Sequence, residues 1–137
     1  MSVTVIDASV AHAWVLQSQK TAAAFALRTL ANTAFVAPFI FSFEIRSGLA
    51  KAERQQRLSA SATDTALQIL HAVVHIEAPP DELILTETLS LSRRRHLSFY
   101  DACYLEAALR LGAKLATRDA PLLAAALQEG VSVYDAR

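Results

Sequence analysis

Little in this chain of 137 residues could crosslink or break it: it has one cysteine, three glycines and four prolines. Cys103 alone forms no internal disulfide, and no apolar run approaches the roughly 18 residues of a membrane span. The scarcity of glycine, proline and charge (19% charged against 53% hydrophobic) excludes disordered and low-complexity chains. An excess of either charge is also missing. Thirteen basic residues balance thirteen acidic ones, so a binder held to nucleic acid by net positive charge is excluded, and any such contact must rest on local basic clusters or on ions. The first residues lack the basic stretch of a secretory signal and run straight into a strand pattern. With no repeat or linker visible, these features predict one compact unit over residues 1–137, cytoplasmic and without a membrane segment.

What is present alternates between short apolar runs and longer helical segments. Strands are expected at 3–6, 35–38, 73–77, 114–117 and 131–134, where β-branched and apolar residues run together between polar stops. Helices are expected at 10–17, 22–30, 39–57, 61–72, 83–95, from Ser98 to a stop at Gly112, and at 121–128 before Gly130. Such alternation predicts an α/β domain, three layers deep, with a short and mostly parallel sheet of four to five strands. In these sheets the functional groove lies beyond the carboxyl ends of the strands, near the point where strand order reverses.

Four carboxylates stand alone in apolar surroundings: Asp7 after the first strand, Glu44 in an aromatic stretch, Asp101 in Ser98-Phe-Tyr-Asp-Ala-Cys, and Asp119 after Leu115-Ala-Thr-Arg. A buried carboxylate without a partner is costly, so acids set in this way share a proton, an arginine or a metal ion. Each also has a plain explanation. Asp7 and Asp119 suit helix N-caps; Ser98 with Asp101 matches a capping box, as does Ser61 with Asp64; and Glu44 is open to a buried pairing with Arg46 or another arginine. All four together, 37, 57 and 18 residues apart yet all able to face one sheet edge, are harder to assign to capping alone. Clustered carboxylates repel, and magnesium or manganese resolves that repulsion while keeping waters able to attack a phosphodiester. Ser9 and Thr117 carry hydroxyls beside Asp7 and Asp119, suited either to orienting a carboxylate or to capping.

The ordered set of strand-Asp-Ala-Ser, the Glu of the third helix, Leu97-Ser-Phe-Tyr-Asp-Ala and Leu115-Ala-Thr-Arg-Asp resembles the PIN-domain family, in length and motif order most like the VapC toxins of VapBC toxin–antitoxin pairs. The resemblance covers essentially the whole chain. It implies an α/β/α sandwich and metal-dependent endoribonuclease activity. Asp7, Glu44, Asp101 and Asp119 would form the acidic quartet and hold Mg2+ or Mn2+, with Thr117 and Ser9 as the hydroxyl residues of the last and first motifs. It further implies an RNA substrate, a homodimer, and a VapB-type antitoxin laid across the groove, often delivering an arginine to the acids. One departure stands out: many relatives carry Asn three residues after the helix-three Glu, where this chain has Ser47.

Other readings compete. A PIN nuclease acting in RNA processing without an antitoxin shares every motif. A magnesium-binding receiver domain also sets acids at strand ends, but it needs paired acids after strand one and a lysine after strand five, which are missing. A non-catalytic adaptor would have little use for all four acids. Among the remaining features, Arg46, Lys51, Arg54 and Arg57 and the run Arg93-Arg-Arg-His96 suit either phosphate contacts or solvated helix ends. Ala11, Trp14 and Phe43 suggest core or a helix-binding groove, with core favoured. His71 and His75 lack a third ligand for zinc; His12 is unspecific, Cys103 suits the core and Glu77 a turn.

Overall fold

The computed structural model describes residues 1–137. Its centre is a sheet of β1 (Ser2–Ile6), β2 (Thr33–Ala37), β3 (Val74–Ile76), β4 (Lys114–Thr117) and β5 (Val133–Asp135), all parallel and ordered β3-β2-β1-β4-β5. Around it run α1 (Ala8–Val15), α2 (Ala22–Arg28), α3 (Phe41–Arg54), α4 (Ala60–Val73), α5 (Glu82–Arg95), α6 (Phe99–Leu111) and α7 (Ala120–Gln128), with a 3-10 turn at Gln17–Gln19. The expected α/β architecture is therefore present, with five strands.

Strand order follows from connection physics. The chain lays down β1, β2 and β3 in one direction, then crosses back to set β4 on the free side of β1 and β5 beyond it. Right-handed crossovers then require α1 to α4 on one face and α5 to α7 on the other. The packing agrees: α1 lies against α2 and α3, and α6 against α5 and α7. The order reverses between β1 and β4, and loops diverging there leave a crevice at the carboxyl ends of the two strands.

Central strands in such a sheet are covered on both sides and read as nearly unbroken apolar runs. Val5, Ile6, Leu115 and Ala116 are fully buried, within a core of 30 residues that also takes in Phe41, Ile45, Leu105 and Leu122. Trp14 donates its indole N–H to the Ala24 carbonyl at 2.7 Å, which lets a large aromatic sit in that core without a stranded donor. The last strand is tied to α2 as the Tyr134 hydroxyl donates to the Ala23 carbonyl at 2.8 Å.

Six helices begin on a side-chain cap: Asp7, Thr21, Ser59, Asp81, Ser98 and Asp119 each accept an N–H from three residues on. Each such cap contributes about 1 kcal/mol. These caps correct several expected boundaries. Asp7 starts α1 at Ala8 rather than residue 10, and the helix ends at Val15, with Gln17 in the 3-10 turn. Ser59 starts α4, so Ser61 and Asp64 lie inside the helix and form no capping box. Ser98 accepts the Asp101 N–H at 3.1 Å, but the Asp101 carboxylate does not return a bond to the Ser98 N–H, and it lines the groove. The helix expected at 39–57 is shorter, because Pro38 and the residues after it form a tight turn that precedes Phe41.

Candidate active site

A groove of about 780 Å³ opens at the carboxyl ends of the central strands and is lined by Asp7, Glu44, Asp101 and Asp119 together. Four elements bring them there. Asp7 leaves β1, Asp119 follows β4 after Arg118, Glu44 projects from the first turn of α3, and Asp101 from the first turn of α6. All four acids singled out in the sequence line this one groove.

Asp7 is the most constrained of the four. It is 5% exposed; its Oδ1 accepts from the Ser9 hydroxyl at 2.6 Å and from the Val10 N–H at 3.2 Å, and its Oδ2 accepts from the Thr117 hydroxyl at 2.5 Å. The two hydroxyls are themselves fixed. Ser9 accepts the Arg118 N–H and Thr117 accepts the Asp119 N–H, each at 3.0 Å. A short lattice of bonds thus spans the β1–β4 divide and sets Asp7 and Asp119 relative to one another. Burial pushes the Asp7 carboxyl up to about 6 despite those three donors, with the Asp101 charge adding to the rise.

Glu44 answers to a residue that sequence reasoning missed. The buried Tyr104 phenol donates to its Oε1 at 2.6 Å, joining α3 to α6 across the groove floor. Arg46, the expected alternative partner, turns instead to the Ser42 carbonyl of its own helix at 2.9 Å. Burial raises the Glu44 pKa, the Tyr104 bond opposes that rise and the Asp101 charge adds to it. Asp101 is raised by burial and by the charge of Asp119. The Tyr104 hydroxyl, pushed well above its usual range by burial and by Glu44, remains a donor. An aromatic in a Leu- and Ala-rich helix reads as core, and only its three-residue spacing from Asp101 marks the same helix face.

His12 also lines the groove, its Nε2 facing the Ile45 carbonyl at 3.3 Å, and burial lowers its pKa so that it is neutral near pH 7. The ring lies where a Cβ on residue 48 would stand, so Gly48 is what allows α1 and α3 to approach here. Gln19, Tyr100 and Phe43 complete the walls. Ser47, the departure noted in the sequence, lines the groove as well.

Other sequence candidates lie elsewhere. Arg94 and Arg95 close on Glu129 at 2.9 and 2.5 Å, which makes part of the basic run a structural clamp. Glu77, expected as a turn residue, is paired with Arg110 at 2.8 Å, and Arg110 also holds Glu106. Ala11 and Trp14 are core, while Phe43 is exposed, so the three do not form one apolar groove. Cys103 is half-buried and burial pushes its thiol up to about 11, which leaves it unreactive.

The donor set is all hard oxygen, the chemistry that magnesium and manganese select. No three acidic, histidine or cysteine side chains are arranged as they stand to close around one ion. Magnesium does not require such a cage, since it keeps several waters and binds through one or two carboxylates.

A PIN-domain model matches residues 4–127. The chain belongs to the PIN-domain family. PIN domains are generally nucleases and typically use divalent metals. Among solved structures, this PIN domain is similar to PAE2754 from Pyrobaculum aerophilum, with 24% identity and a TM-score of 0.73 over 97% of this chain and 90% of that one. It is similar to VapBC-1 from nontypeable Haemophilus influenzae, with 16% identity and a TM-score of 0.68 over 98% of each chain. It is similar also to VapBC2 from Rickettsia felis, solved bound to a DNA fragment from their promoter, with 11% identity and a TM-score of 0.69 over 97% of this chain and 98% of that one. At these identities the likeness is one of fold. A search of curated proteins by sequence finds no match. No helix of this PIN domain is long and apolar enough to cross a membrane.

Proposed function

We propose that this PIN domain is a metal-dependent endoribonuclease, the toxin of a type II toxin–antitoxin pair, hydrolysing RNA with water as the nucleophile. The observation that carries this reading is the buried Asp7 carboxylate, held by Ser9, Thr117 and the Val10 N–H at the edge of an open groove that it shares with Glu44, Asp101 and Asp119. A fold has no need to bury one acid beside three others, whereas a cation site does.

In this reading Asp7, Glu44, Asp101 and Asp119 hold Mg2+ or Mn2+. The ion, when bound, neutralises charge at the scissile phosphate and supplies the hydrolytic water, so no covalent protein intermediate is required. Ser9 and Thr117 keep both Asp7 oxygens in place, and Tyr104 fixes Glu44, so the acids are oriented before the substrate arrives. The VapBC names among similar structures support a VapB-type antitoxin as partner. An arginine from such a partner would meet complementary charge in this groove and take the cation's place. A homodimer is part of the same proposal.

The test is cleavage of a mixed structured and single-stranded RNA pool with magnesium, manganese or chelator, by wild type and by Asp101→Asn. Metal-dependent cutting that falls about 100-fold or more in the variant is expected. A folded wild type that cuts nothing under any of these conditions would overturn the proposal.

A further inference from the structure

The groove walls contain four acids and, among all 14 lining residues, neither lysine nor arginine. A polyanion entering it meets no cation on the walls, with Arg118 beside the groove already bonded to the lining Gln19 at 3.3 Å, and the chain as a whole has no net charge to compensate. Affinity in the groove must come from ions and from the uncharged parts of the substrate. Two side chains are suited to the second task.

Phe43 and Tyr100 line the groove, yet they are 59% and 55% exposed. Each immediately precedes an acid, Phe43 before Glu44 on α3 and Tyr100 before Asp101 on α6. One helical step turns about 100°, so each ring flanks its carboxylate without covering it. Each is braced by a T-shaped aromatic neighbour: Phe39 lies against Phe43 with centroids 5.5 Å apart, and Phe99 against Tyr100 at 6.4 Å. Leaving large rings in water costs free energy, and bracing them there makes sense where a flat partner arrives.

Resting on the nuclease reading above, we infer that Phe43 and Tyr100 form a base-stacking platform that selects an unpaired nucleotide next to the cut phosphodiester. Stacking is tolerant of sequence because every base has a π face, but it requires bases free of a duplex. The platform therefore makes the acidic groove a site for single-stranded loops or ends, and its two rings set how strongly such a segment is held.

The experiment uses the full chain with magnesium and a single-stranded RNA carrying 2-aminopurine, whose fluorescence falls on stacking, with the matching duplex as comparison. Wild type is expected to quench the single strand and to cut it far more efficiently than the duplex. Phe43→Leu and Tyr100→Leu, both at exposed positions, should keep the fold, lose quenching and raise KM about 5-fold or more each. Tyr100→Phe, which keeps the ring, should restore the quench. Unchanged KM and quenching in both leucine variants of an active enzyme would overturn the platform. So would loss of binding to an arginine-bearing inhibitor peptide with RNA binding intact, which would assign the rings to a protein partner. A wild type that neither quenches nor cuts would instead bring down the nuclease reading itself.

Discussion

Asp7 caps α1, ties β1 to β4 through Thr117, and faces the groove, and these duties conflict energetically. Its carboxyl is raised from 3.8 to about 6, so between these values the folded chain binds more protons than the unfolded one, and stability falls as pH rises through that window. Above pH 6 the full penalty of an ionised, buried acid remains. Asp7→Asn keeps a good cap and removes the charge, so without divalent ions it should stabilise the fold at pH 7 by on the order of 2 kcal/mol. The gain should vanish below about pH 4, as chemical denaturation at both pH values would reveal. Asp7→Ala is the poorer test of function, because it removes cap and charge together. Tyr104→Phe should cost about 1 kcal/mol or less of stability, because Glu44 is part-exposed and water replaces the phenol, yet lower cleavage by about tenfold. Comparing kcat with the thermal midpoint separates the two effects. The acids themselves were legible in the sequence because a lone charge in an apolar run has few explanations; Tyr104 was not, because its role depends on a helix met 60 residues away.

At the scale of elements, α6 was legible at both ends, since Ser98 accepts the Asp101 N–H of the first turn and Gly112 takes a left-handed φ of 59°. The start of α3 was not: no side chain caps it, and the Pro38 turn rather than a signal residue decides where it begins. The seat of α1 on α3 depends on the missing Cβ at Gly48. Gly48→Ala gains helix propensity, about 1 kcal/mol, but pushes into the His12 ring, and overpacking of this kind costs about 1–3 kcal/mol. The single variant should therefore be neutral to destabilising, and His12→Ala combined with Gly48→Ala should recover the propensity gain. A double-mutant cycle read by thermal unfolding would expose the coupling. The clamp of Arg94 and Arg95 on Glu129 joins the end of α5 to the C-cap of α7. The arginines hold the Glu129 carboxyl down at about 2, so this contribution is present above its ordinary value of 4.5 and is lost as pH falls through 2. Glu129→Gln should cost roughly 1 kcal/mol at pH 7 and nothing near pH 2, with part of the effect screened by salt.

For the whole molecule, the proposed cation site at the β1–β4 divide predicts that stability answers to ions. Four acids that repel one another should be relieved by a divalent cation, so millimolar magnesium or manganese should raise the melting temperature of wild type. The same addition should leave an Asp7→Asn, Asp101→Asn variant nearly unmoved; an equal shift in both would place the ion elsewhere. The parallel α/β class was readable from the alternation of short apolar runs with helices, because buried parallel strands and their crossovers leave that rhythm. The exact strand order was not, since nothing local distinguishes returning beside β1 from continuing outward past β3. One feature of that order bears on how copies of this chain meet. Both borders of the sheet, β3 and β5, are only three residues long, with few open backbone groups to offer a neighbour. Such blunted borders resist the strand-by-strand growth that leads to fibrils, so the proposed homodimer would form through helical surfaces, an assembly that can stop at two.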